Sequence, residues 1–152
     1  MPDPLLDTWQ IHDRINLYLL EAIPAPALVA EPASGRSVAQ TLAHIHNVRL
    51  MWLDAAGADK PGVEKLDTKG KLTAALLAKS LKTSGAAIGQ LIEKSLAAGG
   101  KVKGFKPHVH AFVGYLISHE SHHRGQMAVT LKANASPLDK KIAYGLWEWG
   151  VR

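Results

Sequence analysis

The chain has no cysteine. That removes disulfides and thiolate metal sites together, so any bound metal must rest on His, Asp or Glu. Long apolar runs are missing as well. No uninterrupted segment approaches the roughly 20 residues a membrane-spanning helix needs. The opening stretch "MPDPLLDTWQ" lacks a basic region followed by an apolar one, so no signal peptide is expected and a cytoplasmic location is. Runs of alternating residues that would read as strands are absent, as are internal repeats and low-complexity tracts. Charge of one sign is only mildly favoured. Eighteen Lys and Arg stand against 13 Asp and Glu, for a net +5, which permits anionic partners without requiring them. The basic cluster of Lys101, Lys103 and Lys106, with Lys140 and Lys141, falls in a connector and a tail. It reads as solvated surface, and nucleic-acid binding is not expected.

What remains is an ordinary globular composition, 47% hydrophobic and 20% charged, over 152 residues. One domain spanning 1–152 is expected. Four helical segments can be read. The first covers about Leu5 to Ala22, with Leu5, Trp9, Asn16 and Leu20 recurring at helical steps, and is ended by Pro24 and Pro26. The second begins at "SVAQ", where Ser37 and Gln40 form a capping box, and runs to about Ala56 before Gly57. One of its stripes is Thr41, His44, Val48, Met51 and Ala55; the neighbouring one is Leu42, Ile45, Arg49 and Trp52. The third runs from about Leu72 to Ala98 and is stopped by Gly99 and Gly100. The fourth starts with Pro107 in its first turn and ends near Asn134. An aromatic tail, "YGLWEW", packs back on the rest. The fold class is all-α, an antiparallel four-helix bundle.

The fourth helix holds "LISHESHHRGQM". His119 and His123 are four apart and share a helix face, so two imidazoles can reach one ion. Eight histidines in 152 residues give about 0.4 such pairs by chance, so the spacing alone is weak. Glu120 directly after the first His lowers that to about 0.02, and the result spells H-E-x-x-H, the zinc-protease signature. A protease makes further demands. The extended motif needs Gly and His where this chain has Gln126 and Val129, the alternative needs a downstream Glu for which only Glu148 is available, and no strand is on hand to align a peptide. A better third ligand lies upstream, where His44 sits beside apolar positions of the second helix and a bundle brings it opposite the fourth. Three imidazoles leave positions open for water or substrate. A second Glu-x-x-His is missing, which disfavours a di-iron centre.

"LAHIHNVRLMW", "HESHHRGQM" and the terminal "YGLWEW" together resemble the DinB/YfiT-like superfamily, over nearly the whole chain. H-x-x-x-H-x-G-Q is the most specific part of the match. The resemblance implies one divalent metal (Zn, Ni, Mn or Fe) on His44, His119 and His123, with His44 rather than His46 matching the "L-x-H-I" frame. It implies a four-helix bundle, a homodimer, and for some members a metal-dependent S-transferase, isomerase or hydrolase reaction that uses a low-molecular-weight thiol. The competing expectation is a non-catalytic metal-binding stress-response module. On this reading the H-E-x-x-H is the His pair with a coincidental Glu120.

The remaining candidates receive plainer roles. His46 is read as a packing or interface residue, His122 as an outer residue, and His108 and His110 as solvated. His12 is read as surface or as lining the pocket from the first helix. Tyr115 and Gln126 stand where they could hold a metal-bound water or orient a ligand imidazole. Gly125 is read as allowing close helix packing, and Trp52, Trp147 and Trp149 as core or dimer contacts. The homodimer has a second motive: Ala43, Leu50 and Leu53 make the second helix apolar on the side away from His44, which calls for a second cover from the tail or from a partner subunit.

Overall fold

The computed structural model describes all 152 residues and is entirely helical, apart from one isolated bridge between Val102 and Phe105. Four long helices, α1 (Pro4–Ala22), α2 (Val38–Ala56), α3 (Ala74–Ala97) and α4 (Val109–Ala133), are followed by a short α5 (Lys140–Gly145). Single 3-10 turns occupy Ala25–Val29 and Trp149–Val151. No helix is long and apolar enough to cross a membrane.

Local chemistry sets the boundaries. Asp3 caps α1 by accepting from the Leu5 amide, and Thr73 caps α3 by accepting from the Leu76 amide. Both bonds of the Ser37–Gln40 capping box form at the start of α2. Gly57 ends α2 at φ 62°, a left-handed conformation that costs a glycine little. Pro107 lies outside α4 rather than in its first turn. His108 is the N-cap, its Nδ1 accepting from the Ala111 amide at 3.2 Å, so the residue read as merely solvated starts the helix. The tail carries a turn of helix, α5, that periodicity could not reveal in six residues.

The interior consists of two apolar clusters with a polar layer between them. One cluster holds Leu19, Leu20 and Ile23 of α1, Leu42 and Ile45 of α2, Leu77 and Leu81 of α3, and Met127 and Leu131 of α4. The other holds Trp9 of α1, Leu50 and Leu53 of α2, Ile88 and Ile92 of α3, and Phe112 and Leu116 of α4. Helix direction follows. α1 and α4 run from the second cluster to the first, while α2 and α3 run the opposite way. The segment 57–73 therefore crosses back from the end of α2 to the start of α3.

That crossover is tied along α2. Asn47 Nδ2 donates to the Leu66 carbonyl at 3.0 Å, and the Leu66 amide donates back to Asn47 Oδ1 at 2.9 Å. Gln40 Nε2 donates to the Thr68 carbonyl at 3.1 Å, and His46 Nε2 donates to the Glu64 carbonyl at 2.7 Å. Val63 and Leu66 are buried by this arrangement, and so are Ala43, Leu50 and Leu53. The apolar far side of α2 thus finds its cover within the chain, which removes that motive for a partner subunit. Large apolar side chains left in solvent include Met51 on the His44 stripe of α2, Val129 on α4, and Tyr144, Trp147 and Val151 in the tail.

Candidate metal centre

His44 projects from α2 toward α4, where His119 and His123 stand one turn apart. The three residues bring a ring nitrogen each within 4.8 Å of one another, an arrangement that could hold a metal ion. His119 Nε2 and His123 Nε2 are 3.1 Å apart. Two nitrogens bound tetrahedrally at about 2.0–2.1 Å would be separated by about 3.3 Å, so the pair needs little movement to share an ion. His44 packs edge-on against His123, with ring centroids 4.7 Å apart.

The chemistry of the rings fits the same role. Gln126 Oε1 accepts from His123 Nδ1 at 2.8 Å, which puts the lone pair of His123 on Nε2, the atom facing His119. Burial depresses the pKa of all three histidines, and the Arg36 charge and the neighbouring rings add to the effect. His44 falls to about 4. Neutral imidazole, the form that ligates metal, is therefore favoured at each position. His119 Nδ1 is buried without a hydrogen-bond partner, so the orientation of this ring rests on packing. Tyr115, 40% exposed, supplies part of that packing: its ring is stacked nearly parallel to His119, at 10° and 6.3 Å.

Glu120 is no coincidence of composition. Its side chain has 0% exposure and turns into the polar layer of the core. Arg49 Nε donates to its Oε1 at 2.6 Å and Arg49 Nη2 to its Oε2 at 2.9 Å. His12 Nε2 and Asn16 Nδ2 donate to Oε2 at 2.6 and 2.7 Å. Burial works to raise the Glu120 pKa, but the Arg49 charge and these hydrogen bonds outweigh it and hold the carboxyl well below the usual carboxylate range. Both oxygens are held by donors of the core layer, and Glu120 is not among the groups that converge with the three histidines. The general-base role of the protease motif is not available to it.

The layer extends further. Arg49 Nη1 lies 2.8 Å from Asp13 Oδ1 and donates to the Leu81 carbonyl at 3.0 Å. Arg124 Nη1 donates to Asn16 Oδ1 at 2.7 Å and lies 3.3 Å from His12 Nδ1. His12 is thus fully buried between Glu120 and Arg124, not on the surface, and it does not reach the three-histidine group. Sequence reasoning passed over Arg49 and left Asn16 in an apolar stripe. A signal was there, since an arginine and an asparagine on core-facing stripes demand buried partners.

Other expectations sort cleanly. His46 is buried and bonded to backbone, His122 is exposed beside His123, and Trp52 packs edge-on against Phe105, Phe112 and Tyr115. Gly125 does not serve close packing, because a Cβ there would meet open space. Close packing does require glycine at Gly85, where a Cβ would run into the Asp13 carboxylate, and at Gly145, where it would run into Tyr18.

A family model described as the DinB family matches residues 1–134. The chain belongs to the DinB family. Among solved structures it resembles a DinB-like protein from Bacillus cereus, with a TM-score of 0.70 and 21% identity. That match covers 89% of this chain and 93% of the other, and at this identity it bears on the fold. No curated protein matches.

Proposed function

We propose that this DinB-family chain binds one divalent metal ion through His44, His119 and His123. The observation that carries the reading is the convergence of three neutral ring nitrogens from two helices, one of them oriented by Gln126. Zn, Ni, Mn and Fe all suit imidazole with open positions. The fold around the site is read as a four-helix bundle in which α1 and α4 run antiparallel to α2 and α3.

We further propose that the site is catalytic, as a transferase, isomerase or hydrolase. When bound, the metal would supply Lewis acidity or activate a coordinated thiolate or water. A thiol must come from a small cofactor, since the chain has no cysteine. Gln126 orients His123, Tyr115 packs against His119, and Glu120 fixes the helix that carries both. A cleft of about 490 Å3 that includes Gln126 in its wall favours catalysis over a non-catalytic metal-binding stress-response module, which needs no such space. A homodimer, if formed, would use the exposed Tyr144, Trp147 and Val151 of the tail.

The test is metal analysis of purified protein reloaded with zinc. One ion per chain is expected in the wild type, and sharply reduced occupancy in His44→Ala and His119→Ala. Full occupancy in either variant rejects that residue as a ligand.

A further inference from the structure

We propose that the cleft beside the three histidines is an anion subsite, in which Arg36 holds a carboxylate of a small polar substrate whose second anionic end is directed at the metal. The inference rests on the metal reading above and names the substrate class.

Charge balance is the first ground. Three neutral imidazoles would leave a divalent ion with both of its positive charges. The carboxylate beside the site in sequence, Glu120, is fully engaged with Arg49, Asn16 and His12. No Asp or Glu lines the cleft. Apart from a metal-bound hydroxide, the compensating charge has to arrive with the ligand.

Placement is the second ground. The three histidines do not themselves line the cleft, but their neighbours do: Thr41, one turn before His44, His122, whose ring lies 5.1 Å from that of His123, and Gln126, bonded to His123. Ser34, Gly35 and Arg36 line the same cleft from the loop before α2. Arg36 directly precedes the Ser37 cap of α2, and the Val38 amide donates to the Ala30 carbonyl at 3.0 Å, which closes the loop bearing it. Its backbone is therefore held while its guanidinium stands exposed. Arg36 makes no ion pair or side-chain hydrogen bond within the chain, although Arg49 and Arg152 do. Its charge is felt at all three histidines. A guanidinium fork free of internal partners matches a carboxylate through two parallel hydrogen bonds.

Polarity is the third ground. Among the lining residues Val129 is the one large apolar side chain. At about 490 Å3 the space suits a small hydrophilic molecule and offers no apolar wall for a lipid or an aromatic body.

The experiment uses cobalt-loaded protein and paired thiols that differ only at the far end: mercaptoacetate against 2-mercaptoethanol, and 3-mercaptopropionate against 3-mercaptopropan-1-ol. The thiolate-to-cobalt charge-transfer band reports binding without any assumption about activity. Wild-type protein is expected to bind at least one carboxylate member about tenfold more tightly than its alcohol partner. Arg36→Gln should keep cobalt and its affinity for the alcohols but lose that preference. A preference of unchanged size in Arg36→Gln assigns it to the metal charge alone and overturns the subsite, as does equal binding of acids and alcohols by the wild type. Failure of wild-type protein to bind cobalt at all is a different result: it removes the metal reading, and this inference with it.

Discussion

Arg49 of α2 and Glu120 of α4 form a two-pronged ion pair, at 2.6 and 2.9 Å, with neither side chain exposed to solvent. Two charges taken out of water cost several kcal/mol each to desolvate. Here the cost is offset by saturation. Glu120 accepts from three residues, and Arg49 also meets Asp13, the Leu81 carbonyl and the face of Trp9. The residue following the first metal-ligand candidate is thereby a structural one.

Breaking this pair from one side should be severe. Glu120→Gln or Arg49→Met is expected to lower the free energy of unfolding by about 3–5 kcal/mol, because each leaves a buried charge without its two-pronged partner. Urea denaturation measures it. The double variant should lose clearly less than the sum of the two, since the stranded charge disappears with its partner. Additive losses would mean the two residues do not act as a pair.

Gln126 should matter through His123 alone. Gln126→Ala is expected to weaken metal affinity about 10–100-fold while leaving helical content unchanged, since it frees the ring that the glutamine oxygen orients. Gln126→Glu retains an acceptor and should bind close to the wild type. A competition titration against a chromogenic chelator reads both. Equal affinity in all three proteins would show that the 2.8 Å bond has no influence on the ligand.

Acid should destabilise the metal-free protein in two stages. Burial lowers His12, His44, His46, His119 and His123 from their ordinary 6.5, so the unfolded chain binds more protons than the folded one below that pH. Stability is full above pH 6.5 and declines as pH falls from there. Glu120, also lowered, takes the same sign below 4.5. Asp13, raised by burial, opposes part of the loss at the acid end. Chemical denaturation of chelator-treated protein between pH 7.5 and 4 should follow this curve. A flat profile from 6.5 to 5 would contradict the burial of these histidines.

The parts of this protein legible in the sequence are those written in local chemistry. The capping box at Ser37, the glycine stop at Gly57 and the four-residue step from His119 to His123 each act within one or two helical turns. The first two bound α2, and the third supplies two of the three candidate ligands. What stayed hidden depends on distance along the chain. Glu120 meets Arg49 across 71 positions and His12 across 108, and no window on one helix contains both partners. The cover of the apolar far side of α2, expected from the tail or a partner subunit, is hidden for the same reason: it includes Val63 and Leu66 of an irregular segment with no periodicity to announce it.

The polar layer between the two apolar clusters also acts as a ruler. Apolar contacts are non-directional, so four greasy helices could slide by a turn and still bury their faces. The Glu120 oxygens tolerate no such slip. A shift of about 5.4 Å along any axis would unpair Arg49, His12 or Asn16 at once. The layer therefore sets the axial register of α1, α2 and α4 relative to one another. Since His44 and His119 lie within one or two turns of Arg49 and Glu120 on the same two helices, the register that satisfies the buried charges is also the one that brings the three histidines level.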